Sequence, residues 1–294
     1  MRDGKFITRG NFKDMRMDEI IKNMVGREIK EKFPRISTPK GKKIFSIKNL
    51  SSGKMVRDVS FDVYEGEILG IAGLMGAGRT ESTRALFGVD AKDGGTIELD
   101  GKEIFVNCPT DAIRQGVVLA PEDRKKDGLC TKLSIKENIA LPNLDILCNR
   151  FGIIDRKKEA AMLNNAVKRL SLKMAGGDKD AASLSGGNQQ KLVVAKWLLR
   201  ESRVIIFDEP TRGIDVAAKV EIYNLMNKLK QEGKGVVFVS SELPEILGVA
   251  DRIVVLCEGR VTGEMPASEA TQEKILYLAT RFLNKKSEKE EKAV

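Results

Sequence analysis

The segment Val204-Ile205-Ile206-Phe207-Asp208-Glu209-Pro210-Thr211 decides how this chain is read. Four apolar residues in a row, without alternation, suit a strand covered on both faces, as in a parallel sheet. The strand ends on two adjacent carboxylates, and ligands of open α/β sheets bind at the carboxyl ends of strands. Neighbouring side chains at a strand end diverge, so Asp208 is assigned to a divalent cation and Glu209 to the polarisation of an attacking water. A solvated acidic turn is the competing reading, but a carboxylate pair closing a buried run argues against it.

Working outward, Val236-Val237-Phe238-Val239 is a second fully buried strand by the same criterion. From Ile44 onward, short apolar runs such as 67–71 alternate with helical patterns such as 80–87. That alternation is α/β organisation. Between them lies Gly73-Leu74-Met75-Gly76-Ala77-Gly78-Arg79-Thr80, the pattern G-x-x-x-x-G-K-[ST] with Arg79 in the lysine position. Glycines let backbone wrap close to phosphates, the next helix N-terminus presents amides to them, and Thr80 can ligate Mg²⁺. Alone, this loop is balanced evenly against an ordinary glycine-rich turn; the carboxylate pair tips it towards a site.

A third motif, Leu184-Ser185-Gly186-Gly187-Asn188-Gln189-Gln190-Lys191, opens a helix read as 188–199. Ser185 and the two glycines expose amides at a helix N-terminus, another phosphate-binding arrangement. By itself it could be a cap with flexible glycines. The stretch 136–182 is rich in helix formers, with 157–170 amphipathic, and is read as a helical subdomain inserted between the motifs.

Composition narrows the chemistry. A chain of 294 residues, 41% of them hydrophobic, can bury the core of one large domain with appendages. The net charge of +9 favours anionic partners. With 5% aromatic residues and no basic stretch interleaved with rings, single-strand nucleic-acid binding is disfavoured. There is no histidine, which removes Ser-His-Asp and Cys-His catalysis, histidine-ligated metals and any histidine base. Cys108, Cys130, Cys148 and Cys257 show no zinc-ligand spacing and imply a reducing compartment. No stretch approaches the roughly 20 apolar residues that span a bilayer, and the polar start does not read as a signal peptide, so the expectation is a chain soluble or peripheral to a membrane.

The two ends carry a faint repeat: Met1-Arg2-Asp3-Gly4-Lys5-Phe6 matches the pattern of Leu256-Cys257-Glu258-Gly259-Arg260-Val261. One unit is therefore expected to end near residue 25 before another begins. The basic, proline-interrupted run 27–43 reads as a solvated linker, and the mixed-charge run 285–294 as a disordered tail.

Taken together, the glycine loop, Leu184 to Gln190 and Asp208-Glu209 resemble the ATP-binding cassette (ABC) family, over residues 44 to 265. The resemblance implies a P-loop NTPase-like α/β domain with a mainly parallel core sheet, an antiparallel β part and an inserted helical subdomain, here 44–284. It implies that ATP contacts Gly73, Gly76, Ala77, Gly78, Arg79, Thr80 and Glu81, that Thr80 and Asp208 hold Mg²⁺, and that Glu209 is catalytic. Two such cassettes pair head to tail, so that Ser185, Gly186 and Gly187 complete a nucleotide site on the opposite cassette. The family's D-loop falls on Gly213-Ile214-Asp215, its membrane-sensing Q-loop on Ala120-Pro121-Glu122, and its switch on Ser241.

Three departures matter. Arg79 replaces a lysine, Glu122 a glutamine and Ser241 a histidine. Besides these, no aromatic residue in 48–60 supplies an adenine-stacking ring. Arginine is a planar fork, which binds phosphate but places charge differently around the γ-phosphate. The combination, with Glu122-Asp123-Arg124-Lys125-Lys126-Asp127-Gly128, resembles the C-terminal cassette of ribose, galactose and xylose type importers. This implies a degenerate second cassette of a transport ATPase, residues 1–26 being the tail of a first. Implied partners are the N-terminal cassette of the same subunit or a second cassette chain, permease subunits and, indirectly, a periplasmic or extracellular sugar-binding protein. The implied location is the cytoplasmic face of the membrane, with no nucleic acid. A regulatory nucleotide-binding module and a non-transport cassette protein are the alternatives.

Overall fold

The computed structural model describes residues 8–9, 32–197, 200 and 202–282. Apart from residues 8–9, the expected cassette tail at 1–26 lies outside this set, as do the linker's first residues 27–31 and the tail 285–294.

Two sheets share one apolar core. The N-terminal strands β1 (Lys43–Ser52) and β2 (Val56–Tyr64) form an antiparallel pair. β3 (Ile68–Gly73) then enters the interior, and the chain turns through the glycine loop into α1 (Arg79–Phe87). β4 (Gly94–Leu99) and β5 (Lys102–Ile104) return to the first sheet, which has the order β2-β1-β4-β5. After α2 (Pro109–Gln115) comes β6 (Val117–Ala120), followed by a π-helix at Arg124–Gly128.

Between β6 and the next strand lie α3 (Ile135–Ala140), α4 (Leu144–Leu147), α5 (Arg156–Leu170) and α6 (Gly186–Ala195). The amphipathic run read as 157–170 is α5, started by Asp155, whose carboxylate accepts from the amides of Lys157 and Lys158. β7 (Val204–Asp208), α7 (Val216–Gln231), β8 (Gly235–Val239), α8 (Leu243–Val249), β9 (Arg252–Cys257), β10 (Arg260–Pro266) and α9 (Gln272–Ala279) complete the order.

The second sheet runs β10-β9-β3-β8-β7-β6 and is parallel except for the edge strand β10. Every residue of β3, β6, β7, β8 and β9 is buried, as expected of parallel strands covered on both faces. Register decides where the chemistry sits. Ile71 pairs with Val239, and Val239 with Asp208, so the exits of β3, β8 and β7 lie side by side. The glycine loop, the carboxylate pair and Ser240-Ser241 therefore leave the sheet at one edge.

Three expectations are corrected. The strand read at 67–71 is shifted to Ile68–Gly73, because the Glu67 carboxylate is engaged by Arg252 at the strand's entrance. The helix read at 188–199 begins at Gly186, because Gly187 packs against α7 and the first turn forms around the two glycines; it ends at Ala195, and Leu199 lies outside the described residues. The solvated-linker reading fails at residues 33–36, while 39–43 are exposed. Phe33 packs on Tyr223 with ring centroids 5.9 Å apart, while Asn227 accepts from the Ile36 amide and donates to the Pro34 carbonyl. An apolar ring just before Pro34 found a half-buried seat on α7, and satisfied backbone groups hold it there.

Candidate functional site

The glycine loop is built by close approaches. Gly78 caps α1 at φ 90, and a Cβ there would strike the Met55 carbonyl, so only glycine closes this turn. A Cβ at Gly73 would sit 2.6 Å from the Leu256 carbonyl, whereas at Gly76 it would meet nothing within 4 Å. The loop is thus pinned at both ends and open in the middle, as a backbone cradle for phosphates must be. Ala77 is buried and its carbonyl accepts from the Gly259 amide at 2.9 Å. Glu81 is an acid in the first turn of α1, where the helix dipole favours it.

Thr80, on the first turn of α1, donates to Asp208 across 3.2 Å. Thr83, one turn further on, reaches the other Asp208 oxygen at 3.3 Å. Burial pushes the Asp208 carboxyl up to about 6, assisted by the neighbouring Glu209 and opposed by the hydroxyls of Thr80 and Thr83. A hydroxyl beside a buried carboxylate is a hard-oxygen donor set suited to Mg²⁺. The residues present therefore fit a triphosphate with its divalent cation.

The pair Asp208-Glu209 does diverge. Glu209 takes a left-handed backbone at φ 46, and its carboxylate accepts from Ser241 at 3.2 Å. Burial raises its pKa, while Arg79 and Ser241 pull it down. Arg79 is where the structure departs most from a phosphate-binding role. Its Nη1 donates to the Ser240 carbonyl at 2.6 Å and its Nη2 lies 3.4 Å from Glu209, with both side chains about nine-tenths buried. Glu122 forms an ion pair with Arg212, and together with Thr80 and Asp208 it lines a cavity of about 660 Å³.

The remaining candidates form a second group. Ser185 is the exposed N-cap of α6, and its Oγ accepts from Asn188 at 2.9 Å. Gly187 is buried, and a Cβ there would come within 2.6 Å of the Ala218 Cβ. Its missing side chain lets α6 lie against α7. Asp215 caps α7, accepting from the Ala218 amide at 2.9 Å.

Sequence reasoning missed two contributors. Thr83 could have been found three residues after Thr80 on the same helical face. Glu245, 1% exposed, accepts from Thr211 at 2.6 Å and from Ser240 at 3.0 Å, and pairs with Lys219 at 2.7 Å, tying the exits of β7 and β8 to α7. No pattern marked it.

The Asp208 shift has a measurable consequence. Its folded pKa lies above the ordinary carboxylate value, so the native state holds the proton more tightly than the unfolded chain. Without a cation, stability then falls as pH rises from about 4 through 6, by at most roughly 3 kcal/mol. Asp208→Asn is expected to stabilise the chain in chelator at pH 8 but not at pH 4, read by urea unfolding. An asparagine variant no more stable than wild type at pH 8 would contradict this.

Comparison with known proteins places the chain in a family. Residues 56–212 match the ABC transporter family. The ribose import ATP-binding protein of Bacillus subtilis (strain 168) is 51% identical over 95% of this chain, which covers 57% of that protein. The xylose import ATP-binding protein of Thermoanaerobacter pseudethanolicus is 49% identical over 95% of this chain, again covering 57% of its length. The chain therefore spans a little over half of these relatives. A nucleotide-free ATP-binding cassette from an ABC transporter superposes with a TM-score of 0.68 over 81% of this chain and 96% of its own, at 19% identity, a likeness of fold. With its glycine loop, carboxylate pair and α6 motif set on that fold, the chain belongs to the ABC transporter family.

Proposed function

We propose that the chain is the second, hydrolytically weak cassette of the ATP-driven motor of a sugar importer, 44–284 forming the nucleotide-binding domain with its helical insert at 136–182. Residues 1–26 are the tail of a preceding cassette, joined through 27–43. One observation carries the reading. The groups that binding requires are assembled, with Thr80 on Asp208 below an open glycine loop, yet the loop's cation, Arg79, is committed to Glu209 and the Ser240 carbonyl.

In this reading the amides of 76–80 bind the ATP phosphates, and Thr80 with Asp208 holds the Mg²⁺. When bound, that ion offsets phosphate charge and orients the terminal phosphoryl group. Glu209, steadied by Ser241, accepts a proton from water, but while paired with Arg79 its carboxylate is a poorer acceptor. Ser185, Gly186 and Asp215 face the partner cassette, whose own loop they complete. That partner is the N-terminal cassette of the same subunit or a second cassette chain.

The names of the relatives concern ribose, xylose and galactoside import, which supports a monosaccharide as cargo, delivered indirectly by a sugar-binding protein. Among the described residues no helix is long and apolar enough to cross a membrane. By analogy with these import proteins, transport depends on permease subunits and the cassette sits on the cytoplasmic face of the membrane. The docking surface is the cavity beside Glu122 with the helical insert, where Phe151 is 72% and Ile153 64% exposed. The chain is expected to co-purify with a hydrophobic permease from detergent-solubilised membranes. Recovery solely with ribosomes or DNA would favour a non-transport cassette protein.

A further inference from the structure

We infer that Arg124 is a positioning residue, a clasp that fixes the Ser185-Gly186 turn against the Gly213 turn and ties both to the wall of the Glu122 cavity. The inference rests on the composite-site reading above, in which those two turns face the partner cassette.

The geometry is that of a three-way bridge. Arg124 Nη1 donates to the Arg212 carbonyl at 3.0 Å, Nη2 to the Gly213 carbonyl at 3.4 Å and Nε to Gln189 Oε1 at 3.4 Å. One guanidinium thus joins the first turns of α6 to the loop that leads into α7. The planar fork is what allows this, since its donors point to fixed, divergent positions that a lysine cannot cover together. Gly186 adds a steric match: a Cβ there would sit 3.0 Å from Arg124 Nη2 and 3.4 Å from the Gly213 carbonyl, so the guanidinium occupies the space a side chain would take.

The clasp is mounted on an unusual base. Arg124 is the first residue of the π-helix Arg124–Gly128, in which the Gly128 amide reaches back to the Asp123 carbonyl at 3.2 Å and Asp123 accepts from the amides of Lys125 and Lys126. Such wide turns are rare and concentrate at functional places. The same segment lines the 660 Å³ cavity through Asp123, Lys126 and Asp127. A second strut runs parallel to the clasp, because Glu122 pairs with Arg212. A shift of 122–128 on the cavity side therefore pulls directly on Arg212, Gly213 and Gln189, without passing through the Arg79–Glu209 cluster. This is a contiguous physical linkage, each of whose joints can be cut separately.

The test compares wild type with Arg124→Ala, Gly186→Ala and the double variant. Amide hydrogen exchange is read on the chain without nucleotide, then turnover on the tandem protein with its permease. Arg124→Ala is expected to speed exchange at least tenfold in both 185–189 and 213–218 while leaving the strand Val204–Asp208 unchanged. Gly186→Ala should loosen the same two segments by crowding the guanidinium, and should add nothing in the Arg124→Ala background. In the tandem protein Arg124→Ala should lower sugar-stimulated kcat at least tenfold with the KM for ATP within twofold, which a simple loss of fold stability does not produce.

Exchange unchanged in the two segments, or raised equally throughout the domain, would overturn the clasp. So would additive effects of the two substitutions. Ser185→Glu in the same tandem protein separates the two readings. If it stops turnover while Arg124→Ala alters neither exchange nor kcat, the clasp alone is wrong. If it leaves turnover intact while exchange responds as expected, the composite-site reading is wrong and the clasp stands.

Discussion

The isolated chain is expected to bind Mg-ATP yet hydrolyse it at close to the background rate. Binding draws on parts that are in place: the open loop around Gly76, the first turn of α1, and the Thr80–Asp208 pair at 3.2 Å. Turnover asks for a cation at the γ-phosphate, a free base and the partner cassette's counterpart of the 184–191 motif. Arg79 meets the first demand only by giving up a 2.6 Å hydrogen bond to the Ser240 carbonyl and its pairing with a nine-tenths buried Glu209. Leaving that carboxylate buried without its cation costs free energy, so the departure is resisted. Ser241 holds Glu209 through a short hydroxyl where the family resemblance implies an imidazole. Losing one preorganised transition-state contact typically costs ~10²-fold or more, and such losses compound to near-background rates. Calorimetry beside phosphate release, on wild type, Arg79→Lys, Ser241→His and Glu209→Gln, measures both halves of the claim. Wild-type turnover of about 1 s⁻¹ or more, within the ordinary enzyme range, abolished by Glu209→Gln, would show a competent site.

What could be read in advance follows from the range of the interactions involved. β7 and β8 were legible because burial on both faces leaves a local mark, an unbroken run of apolar residues. α5 was legible because one buried stripe leaves a helical period. The placement of the loop and of Asp208-Glu209 at one sheet edge was legible because each follows a buried strand directly in sequence. Arg79 was noticed as a substitution, but its direction was not, since the Ser240 carbonyl that captures it is 161 residues away in sequence. Arg124 and Glu245 have the same character. The bonds of Arg124 run mainly to backbone carbonyls, which any residue offers, and Glu245 looks like an ordinary acid opening a short helix until the fold brings Thr211, Ser240 and Lys219 around it. Phe33 misled for a related reason. Lysines and prolines set the tone of its segment, and the seat it fills on α7 is visible only once Tyr223 and Gly248 are placed beside it.

In the tandem protein with its permease, Ser185→Glu is expected to reduce sugar-stimulated ATP hydrolysis by ~10²-fold or more, the usual cost of a lost transition-state contact. The Ser185 side chain caps none of the backbone amides of α6, so its hydroxyl proton and the first amides of α6 are expected to serve an anion from outside the domain. A carboxylate at this position repels such an anion while suiting the positive end of the helix, so folding should be unharmed or slightly improved. Gly187→Asp should also abolish turnover, but for a mixed reason. A Cβ at Gly187 would come within 2.6 Å of Ala218 and force α6 away from α7, lowering the melting temperature together with activity. The two variants therefore divide the motif by burial: at exposed Ser185 turnover is expected to fall without loss of stability, and at buried Gly187 both are expected to fall together. Measuring turnover and thermal unfolding on both settles the division. A Ser185→Glu protein that folds normally and turns over within twofold of wild type would remove the composite site from this cassette pair.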